Sequence, residues 1–596
     1  MKLKKREEIP VCDTWNLEDI LPSDEAWENL FRETEGSLSG YKTYEEHLAD
    51  SGEMLFSCLK FDEEISLKIE TLFVYAKQKS DEDTGNAKYQ GLSSRARALS
   101  YQAAGLSSYI IPGILTIPQN LLREYRETVP DLKRYDRTLE IILKKKAHTL
   151  PAAMEALLAN SMEATSGSSE IFNMFNNADV KFPEINDEKG KPVKITHGNY
   201  VALMEKQDRE VRKSAFYGLY GVYKQFDNTL AATFSSNVKR AAFYANARNY
   251  SSARAHSLAE NEVSEEVYDN LIQAVHDGLP YLHEYVSMRK KALGVESLHM
   301  YDLYVPMVSQ KETKISFEEA KTMVLEGLRP LGDHYLALLK EGFENRWIDV
   351  YENEGKRSGA YSWGVYGVHP YVLLNFNGTL DSVFTLAHEM GHALHSWFSD
   401  KNQTYMDAGY KIFVAEVAST CNEALLIRHL LEITEDKKER AYLLNHFMDS
   451  FRGTLYRQAM FAEFEDKAHR LAARGEALTS ETLCRMYHQL NEDYFGPDMV
   501  VDPEIDYEWS RIPHFYTPFY VYQYATGFSA AVAISSRILA GDDKTVKGYY
   551  EFLSGGCSMP PVELLKMCGV DMSTAEPVKD ALLVFSGLLE EMKRLI

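Results

Sequence analysis

The amino-acid sequence predicts a mainly α-helical fold, a large bundle-like architecture with a small β-sheet. Apolar residues recur at three- and four-residue steps, as on the buried face of a helix, over residues 24–36, 131–163, 264–294, 316–342, 436–475 and 576–595. Strand-like text is mostly confined to residues 181–196 and 359–377. With 596 residues the chain exceeds a single core. We expect an N-terminal helical domain over 1–190 and a larger C-terminal domain over 191–596.

The stretch 264–294 illustrates the helical pattern. Val267, Leu271 and Val275 recur at four-residue steps, and Ser264 suits the N-cap position. Pro280 interrupts the stripe, because it removes a backbone donor and clashes with the preceding turn. The sequence therefore predicts a helix that is kinked or divided near Pro280.

Two hairpins account for the predicted strands. Residues 181–196 hold a turn at 186–190 between two short extended pieces, and residues 359–377 form a glycine-rich hairpin that ends in 371–376. The second hairpin directly precedes the most informative helix of the chain.

Composition excludes several classes of protein. The formal net charge of −23 argues against a broad basic surface for nucleic acid. No apolar run approaches the ~20 residues of a membrane span, and the basic N-terminus is not followed by an apolar signal segment. The six cysteines are scattered without CxxC spacing. We expect a cytoplasmic protein, and no feature predicts an obligatory protein partner.

A metal site is predicted on the helix that starts near Asp381. His388 and His392 are four residues apart, so both project from one helical face and can bind one zinc ion. Glu389 follows the first histidine and can act as general base on the metal-bound water. A bare HExxH also occurs by chance. Here, however, the surrounding residues are so apolar that unsatisfied histidines in a buried helix would be costly.

The third ligand is less clear from spacing. A metzincin would need glycine at position 395 and histidine at position 398, but the chain has His395 and Phe398. His395 lies about 10.5 Å along the helix from His388, too far to share one ion easily. Glu416 and Glu423 remain, seven residues apart on one face of a following helix, and spacing does not choose between them.

The sequence resembles the oligopeptidase F branch of the thimet oligopeptidase family of zinc metallopeptidases. The resemblance covers nearly the whole chain and includes Thr14–Trp27, the metal helix with Gly391 and His395, and Phe413–Ser419. It implies that Glu416 is the third ligand of one zinc ion, although Ala415 adds one residue to the family pattern. It also implies that Glu423 supports a ligand.

A tyrosine-rich segment extends the resemblance. The family pattern implies that His514, Tyr520 and Tyr524 hydrogen-bond the substrate or the developing oxyanion. A third family tyrosine falls near Gly527 or Phe528, so Tyr522 is a possible substitute. The alternative is an aromatic helix whose tyrosines only pack.

The resemblance implies a gluzincin that cleaves internal bonds of short, unstructured peptides in a deep channel. The small sheet would line the site, and the hairpin at 359–377 would pair with the substrate backbone. Two alternatives are a helical zinc metallocarboxypeptidase and a non-catalytic, peptide-binding relative.

Overall fold

The computed structural model describes residues 3–308 and 314–596. Helices dominate. The first half of the described chain contains α1 Asp24–Ser37, α2 Gly52–Glu82, α3 Ala87–Ser107, α4 Ile110–Thr116, α5 Gln119–Thr128, α6 Asp136–Lys144, α7 Ala152–Thr165, α8 Gly167–Met174, α9 Tyr200–Met204, α10 Arg209–Gln225, α11 Asp227–Ala247, α12 Ala253–Glu260, α13 Glu265–Asp277 and α14 Leu279–Ala292. The second half contains α15 Phe317–Gly327, α16 Asp333–Glu344, α17 Leu380–Asn402, α18 Tyr405–Ala408, α19 Ile412–Ile433, α20 Lys437–Ser450, α21 Arg457–Ala473, α22 Ser480–Phe495, α23 Tyr522–Leu539, α24 Asp543–Leu553, α25 Pro561–Met567 and α26 Glu576–Met592. The predicted mainly α-helical class is confirmed.

The strands are short and form three small sheets. They are β1 Glu184–Asn186, β2 Pro192–Lys194, β3 Leu298–His299, β4 Ile348–Asp349, β5 Tyr361–Trp363, β6 Tyr371–Leu373 and β7 Met499–Val500. The hairpin β1–β2 is antiparallel, and β3 pairs with β7 in parallel. In the third sheet β6 is central, parallel to β4 and antiparallel to β5. Both predicted hairpins are therefore present.

The described residues pack as two compact units, each assembled from separated segments. Unit 1 comprises residues 3–149, 314–426 and 534–569, and unit 2 comprises residues 150–308, 427–533 and 570–596. These units follow contacts rather than chain order. The predicted division near residue 190 is a division along the sequence and stays a prediction.

One apolar cluster in unit 1 joins the N-terminal helices to the three-stranded sheet. Trp15, Trp27 and Leu72 share this cluster with Tyr371 and Leu373 of β6. Trp27 also donates its indole N–H to the carbonyl of Leu72, 2.8 Å away. A buried indole needs such a partner, so the bond fixes α1 against α2.

Prolines divide three of the predicted helical stripes. The stripe at 264–294 splits at Gly278, and Pro280 is the second residue of α14, as predicted. The stripe at 316–342 breaks at a 3₁₀ turn that contains Pro330. The stripe at 131–163 is also divided, because Pro151 starts a new helix and its predecessor is biased towards extended backbone. No helix of the described chain has the length and apolarity needed to cross a membrane.

Candidate metal centre

Helix α17 carries the predicted histidines, and its start is fixed by local sequence. The Thr379 side chain caps the helix by accepting the N–H of Ser382 at 3.2 Å, and Asp381 suits the positive end of the helix. Most of the helix is buried, as its apolar composition predicts. This anchoring gives His388 and His392 a rigid support.

Helix α19 approaches α17 at backbone contact distance. A Cβ atom at Gly391 would lie 2.6 Å from Ser419 Cα and 2.8 Å from Ser419 N, so only glycine fits. Asn422 donates its side-chain N–H to the carbonyl of Ala387 at 3.0 Å and accepts the hydroxyl of Tyr335 at 2.9 Å. Sequence reasoning did not single out Asn422, although a buried amide in the apolar stretch around Glu416 and Glu423 is a usable signal.

His388, His392 and Glu416 converge on one point. The two Nε2 atoms are 3.2 Å apart, and Glu416 Oε2 lies 3.4 Å from His388 Nε2 and 3.5 Å from His392 Nε2. Ligands at about 2.0–2.2 Å from a tetrahedral zinc ion are separated by about 3.3–3.6 Å. Within the described residues, these three side chains form the group that could hold a metal ion. The donor set and its spacing both fit zinc.

Glu423 contacts the opposite edge of the first histidine. Its carboxylate accepts the Nδ1–H of His388, which leaves Nε2 of that ring directed at His392 and Glu416. A carboxylate behind a metal-binding histidine fixes the tautomer and makes the free nitrogen a better ligand. The geometry therefore separates Glu416 from Glu423, which spacing alone left open.

Electrostatics couple these groups strongly. Burial works to lower the pKa of His388, but hydrogen bonds to Glu416 and Glu423 raise that pKa to about 10. Burial opposes ionisation of Glu416, yet the two histidines hold the pKa of its carboxyl well below the usual range. Because a histidine binds a metal ion as the neutral imidazole, a metal ion at this site would compete with a proton for His388.

Glu389 is a buried acid beside the first ligand. Its exposed fraction is 7%, and burial raises the pKa of its carboxyl although His388 and His392 oppose this shift. A carboxylate whose pKa moves towards neutrality is a better proton acceptor near pH 7.

His395 packs away from the ligand atoms. Its ring stacks on that of Tyr410, with centroids 3.7 Å apart and planes 4° from parallel. Burial lowers the pKa of His395 to about 3, so the ring is neutral. Its contacts are those of a packing residue that links α17 to the segment before α19.

In unit 2, the predicted histidine and tyrosines form a second cluster. His514 lies in the 3₁₀ helix Pro513–Tyr516, and its ring stacks on Tyr520 with centroids 5.7 Å apart. Tyr524 Oη lies 3.3 Å from His514 Nε2, and its ring centroid is 5.5 Å from that of Tyr520. Burial and the nearby Arg457 lower the pKa of His514, so this imidazole is neutral at pH 7. Tyr522 instead is fully buried and packs on Tyr268 with ring centroids 5.1 Å apart.

Comparisons with known proteins agree on one family. Residues 202–583 match the model of peptidase family M3, and residues 114–182 match the oligopeptidase F model. Oligopeptidase PepF of Bacillus subtilis (strain 168) is 48% identical over 595 residues, which cover 100% of this chain and 89% of that protein.

Two solved structures share the fold along the chain. The crystal structure of oligoendopeptidase-F from Enterococcus faecium has a TM-score of 0.77 at 39% identity, covering 96% of this chain and 99% of that one. A crystal structure from Chlamydophila abortus has a TM-score of 0.92 at 34% identity, with both chains fully covered.

Two histidines on an HExxH helix and a glutamate on the following helix, in a mainly helical protein, are typical of a metallopeptidase. The chain belongs to peptidase family M3, whose members are generally zinc-dependent. It is a metalloendopeptidase of the oligoendopeptidase F type. The predicted endopeptidase is therefore favoured over the metallocarboxypeptidase and the non-catalytic relative.

Proposed function

We propose that this protein is a zinc-dependent oligoendopeptidase that hydrolyses internal bonds of short, unstructured peptides. The observation that carries the proposal is the tetrahedral spacing of His388, His392 and Glu416 in a chain of family M3. These three residues would hold one zinc ion. The names of the relatives, oligopeptidase and oligoendopeptidase, support peptides rather than folded proteins as substrates.

The proposed chemistry divides between the metal and the side chains. Zinc held by His388, His392 and Glu416 would supply a Lewis acid for the scissile carbonyl and for the attacking water. Glu389 accepts the proton of the attacking water at its carboxylate and returns it to the leaving amine nitrogen. Glu423 keeps His388 in the tautomer whose Nε2 is free to bind.

We also propose that His514, Tyr520 and Tyr524 form hydrogen bonds with the substrate or with the oxyanion. Their mutual ring contacts and the neutral state of His514 support this role, together with the likeness of residues 514–527 to the family segment. A donor of this type contributes about 2.7–4 kcal/mol to transition-state stabilisation.

The edge strand β5 is assigned to the substrate backbone. It lies at the end of the strand order β4–β6–β5, so within the described residues only one of its sides pairs with another strand. Strand addition binds main-chain groups and needs little sequence preference, which suits an enzyme for varied peptides.

We also propose that the protein is located in the cytoplasm. Cys58, Cys421 and Cys568 are free, buried thiols. Such thiols are typical of reducing compartments.

Replacing Glu389 by Gln tests the assignment directly. The variant should keep its zinc but lose turnover by about 10²–10⁴-fold, because a general base has been removed without a change of ligand. Metal content is measured by elemental analysis. Cleavage is followed by mass spectrometry on a short synthetic peptide that is blocked at both ends.

The blocked peptide separates the candidate reactions, because a carboxypeptidase requires a free C-terminal carboxylate. Glu432→Gln, at an exposed position of α19, is the matched control and should behave as the wild type. Full activity of Glu389→Gln would overturn the proposed chemistry.

A further inference from the structure

The turn before α23 contains a strained residue. Phe519 has φ = 56°, in the left-handed region, although it carries a large side chain and is only 1% exposed. A non-glycine residue in this conformation is strained, and the conformation persists only where its surroundings impose it. The contacts around Phe519 therefore show which residues hold it in the left-handed conformation.

A buried glutamate holds the backbone of this turn. The N–H of Phe519 donates to Glu465 Oε1 at 2.7 Å, and Glu465 lies on α21 with an exposed fraction of 0%. Its other carboxyl oxygen, Oε2, has no hydrogen-bond partner within the described residues. A buried acid that makes one hydrogen bond to one strained residue is expensive, which argues for a specific role.

Three further side chains contact this part of the chain. The ring of His469, one turn further along α21, lies 4.6 Å from the ring of Phe519. Ser257 donates its hydroxyl to the carbonyl of Pro518 at 2.8 Å, and Asn237 donates to the carbonyl of Phe515 at 2.8 Å. The 3₁₀ helix is thus tied to α11, and the turn that follows it is tied to α12 and α21.

Phe519 directly precedes Tyr520. The Tyr520 ring is nearly parallel to that of His514, with 9° between the planes. A change of φ at Phe519 from the left-handed to the right-handed region would redirect the chain at Tyr520. The ring contacts of Tyr520 therefore depend on the conformation that Glu465 imposes.

We propose that Glu465 is a positioning residue for peptide hydrolysis: it fixes Phe519 in the left-handed conformation and so holds Tyr520 against His514. The inference rests on the role assigned to Tyr520 under the proposed function. Burial raises the pKa of the Glu465 carboxyl well above its usual range and favours the neutral acid. A glutamine keeps the shape and the acceptor oxygen of a neutral acid, whereas a methionine keeps the volume and removes the acceptor.

The test is a double-mutant cycle with Tyr520→Phe. Glu465→Met should lower kcat about 10–100-fold in the wild-type background with little change in KM. A displacement of about 1 Å of a group that contacts the reacting atoms is enough for a loss of this size. In the Tyr520→Phe background the same substitution should lower kcat less than about 2-fold, because two residues that act through one interaction are not additive. Glu465→Gln should retain wild-type kcat.

Controls separate positioning from loss of folding. Zinc content and thermal unfolding are measured for every variant. Glu463→Gln, on the same helix but bonded to His276 instead of the turn, should leave kcat unchanged. If Glu465→Met does not fold, Glu465→Asp replaces it, because the shorter side chain withdraws the acceptor from the Phe519 N–H.

Several results would overturn the inference. Equal losses from Glu465→Met in both backgrounds would make the role structural, and an unchanged kcat would remove it. A Glu465→Gln variant as impaired as Glu465→Met would do the same. An unaffected Tyr520→Phe enzyme would overturn the inference and the role of Tyr520, while Glu389→Gln would still test hydrolysis separately.

Discussion

At the scale of single residues, the two nitrogens of His388 have different tasks. Nδ1 donates to Glu423, and Nε2 faces His392 and Glu416. Spacing could not assign the two glutamates, because residues seven apart occupy the same face of α19 and both turn towards α17. The choice depends on where the two helices approach, and that is a property of packing between distant segments.

Glu423→Ala should weaken zinc binding by about 10–100-fold, as the loss of a carboxylate behind a ligand histidine typically does. The reason is that His388 loses the partner that fixes its tautomer and orientation. Zinc affinity is measured by competition with a chromogenic chelator. Glu432→Ala, on the same helix but exposed, is the control and should bind zinc normally. Equal affinities in both variants would show that the contact contributes nothing to the site.

At the scale of elements, the contact between α17 and α19 sets the spacing of the ligands. Gly391 and Ser419 meet without a side chain between them, and Asn422 adds a hydrogen bond to the backbone of α17. The family resemblance included Gly391 as part of the motif. The physical reason for a glycine is the neighbouring helix, which the sequence of α17 does not contain.

Gly391→Ala should therefore force the ligand helices apart. We expect a loss of about 1–3 kcal/mol in unfolding free energy from overpacking, together with weaker zinc binding. Both are read from denaturant unfolding and chelator competition. Gly91→Ala is the matched control, since Gly91 is an exposed glycine of α3 with nothing within 4 Å of the added atom. That change should stabilise by about 0.4–1 kcal/mol. If Gly391→Ala behaved like Gly91→Ala, the close contact would not determine the site.

Local patterns predicted the helices and hairpins well but not every interruption. The split near Pro280 was predicted, whereas the stripe over 131–163 reads as one helix and is divided before Pro151. Apolar periodicity continues across such breaks because both pieces bury the same side. The left-handed Phe519 had no local signal at all, since neither glycine nor asparagine stands there and the conformation is imposed by Glu465 from another helix.

At the scale of the whole molecule, contacts and chain order divide the protein differently. Residues 3–149 belong to unit 1 with residues 314–426, and the shared core includes both Trp27 and Tyr371. The sequence shows which face of each helix is buried, but not which distant segment covers it. The predicted division near residue 190 follows the order of segments along the chain. Which distant segments belong to the same unit is determined by tertiary contacts.

All three proposed ligands, His388, His392 and Glu416, belong to unit 1. Removal of a metal ion that they bind should lower the stability of the folded protein. A ligand that binds only the folded state stabilises it by about 2.7 kcal/mol when present at 100 times its Kd. Chelation should therefore abolish peptide cleavage and lower the Tm, and added zinc should restore both. Calorimetry with and without chelator measures the shift.

Variants separate this effect from non-specific chelation. Glu389→Gln should keep the full zinc-dependent shift in Tm although it does not turn over, because the ligands are intact. His392→Ala should lose both the shift and the activity, because the ion has lost a ligand. A zinc-dependent shift that survives His392→Ala unchanged would place the ion elsewhere, and the centre on α17 and α19 would then not be the metal site.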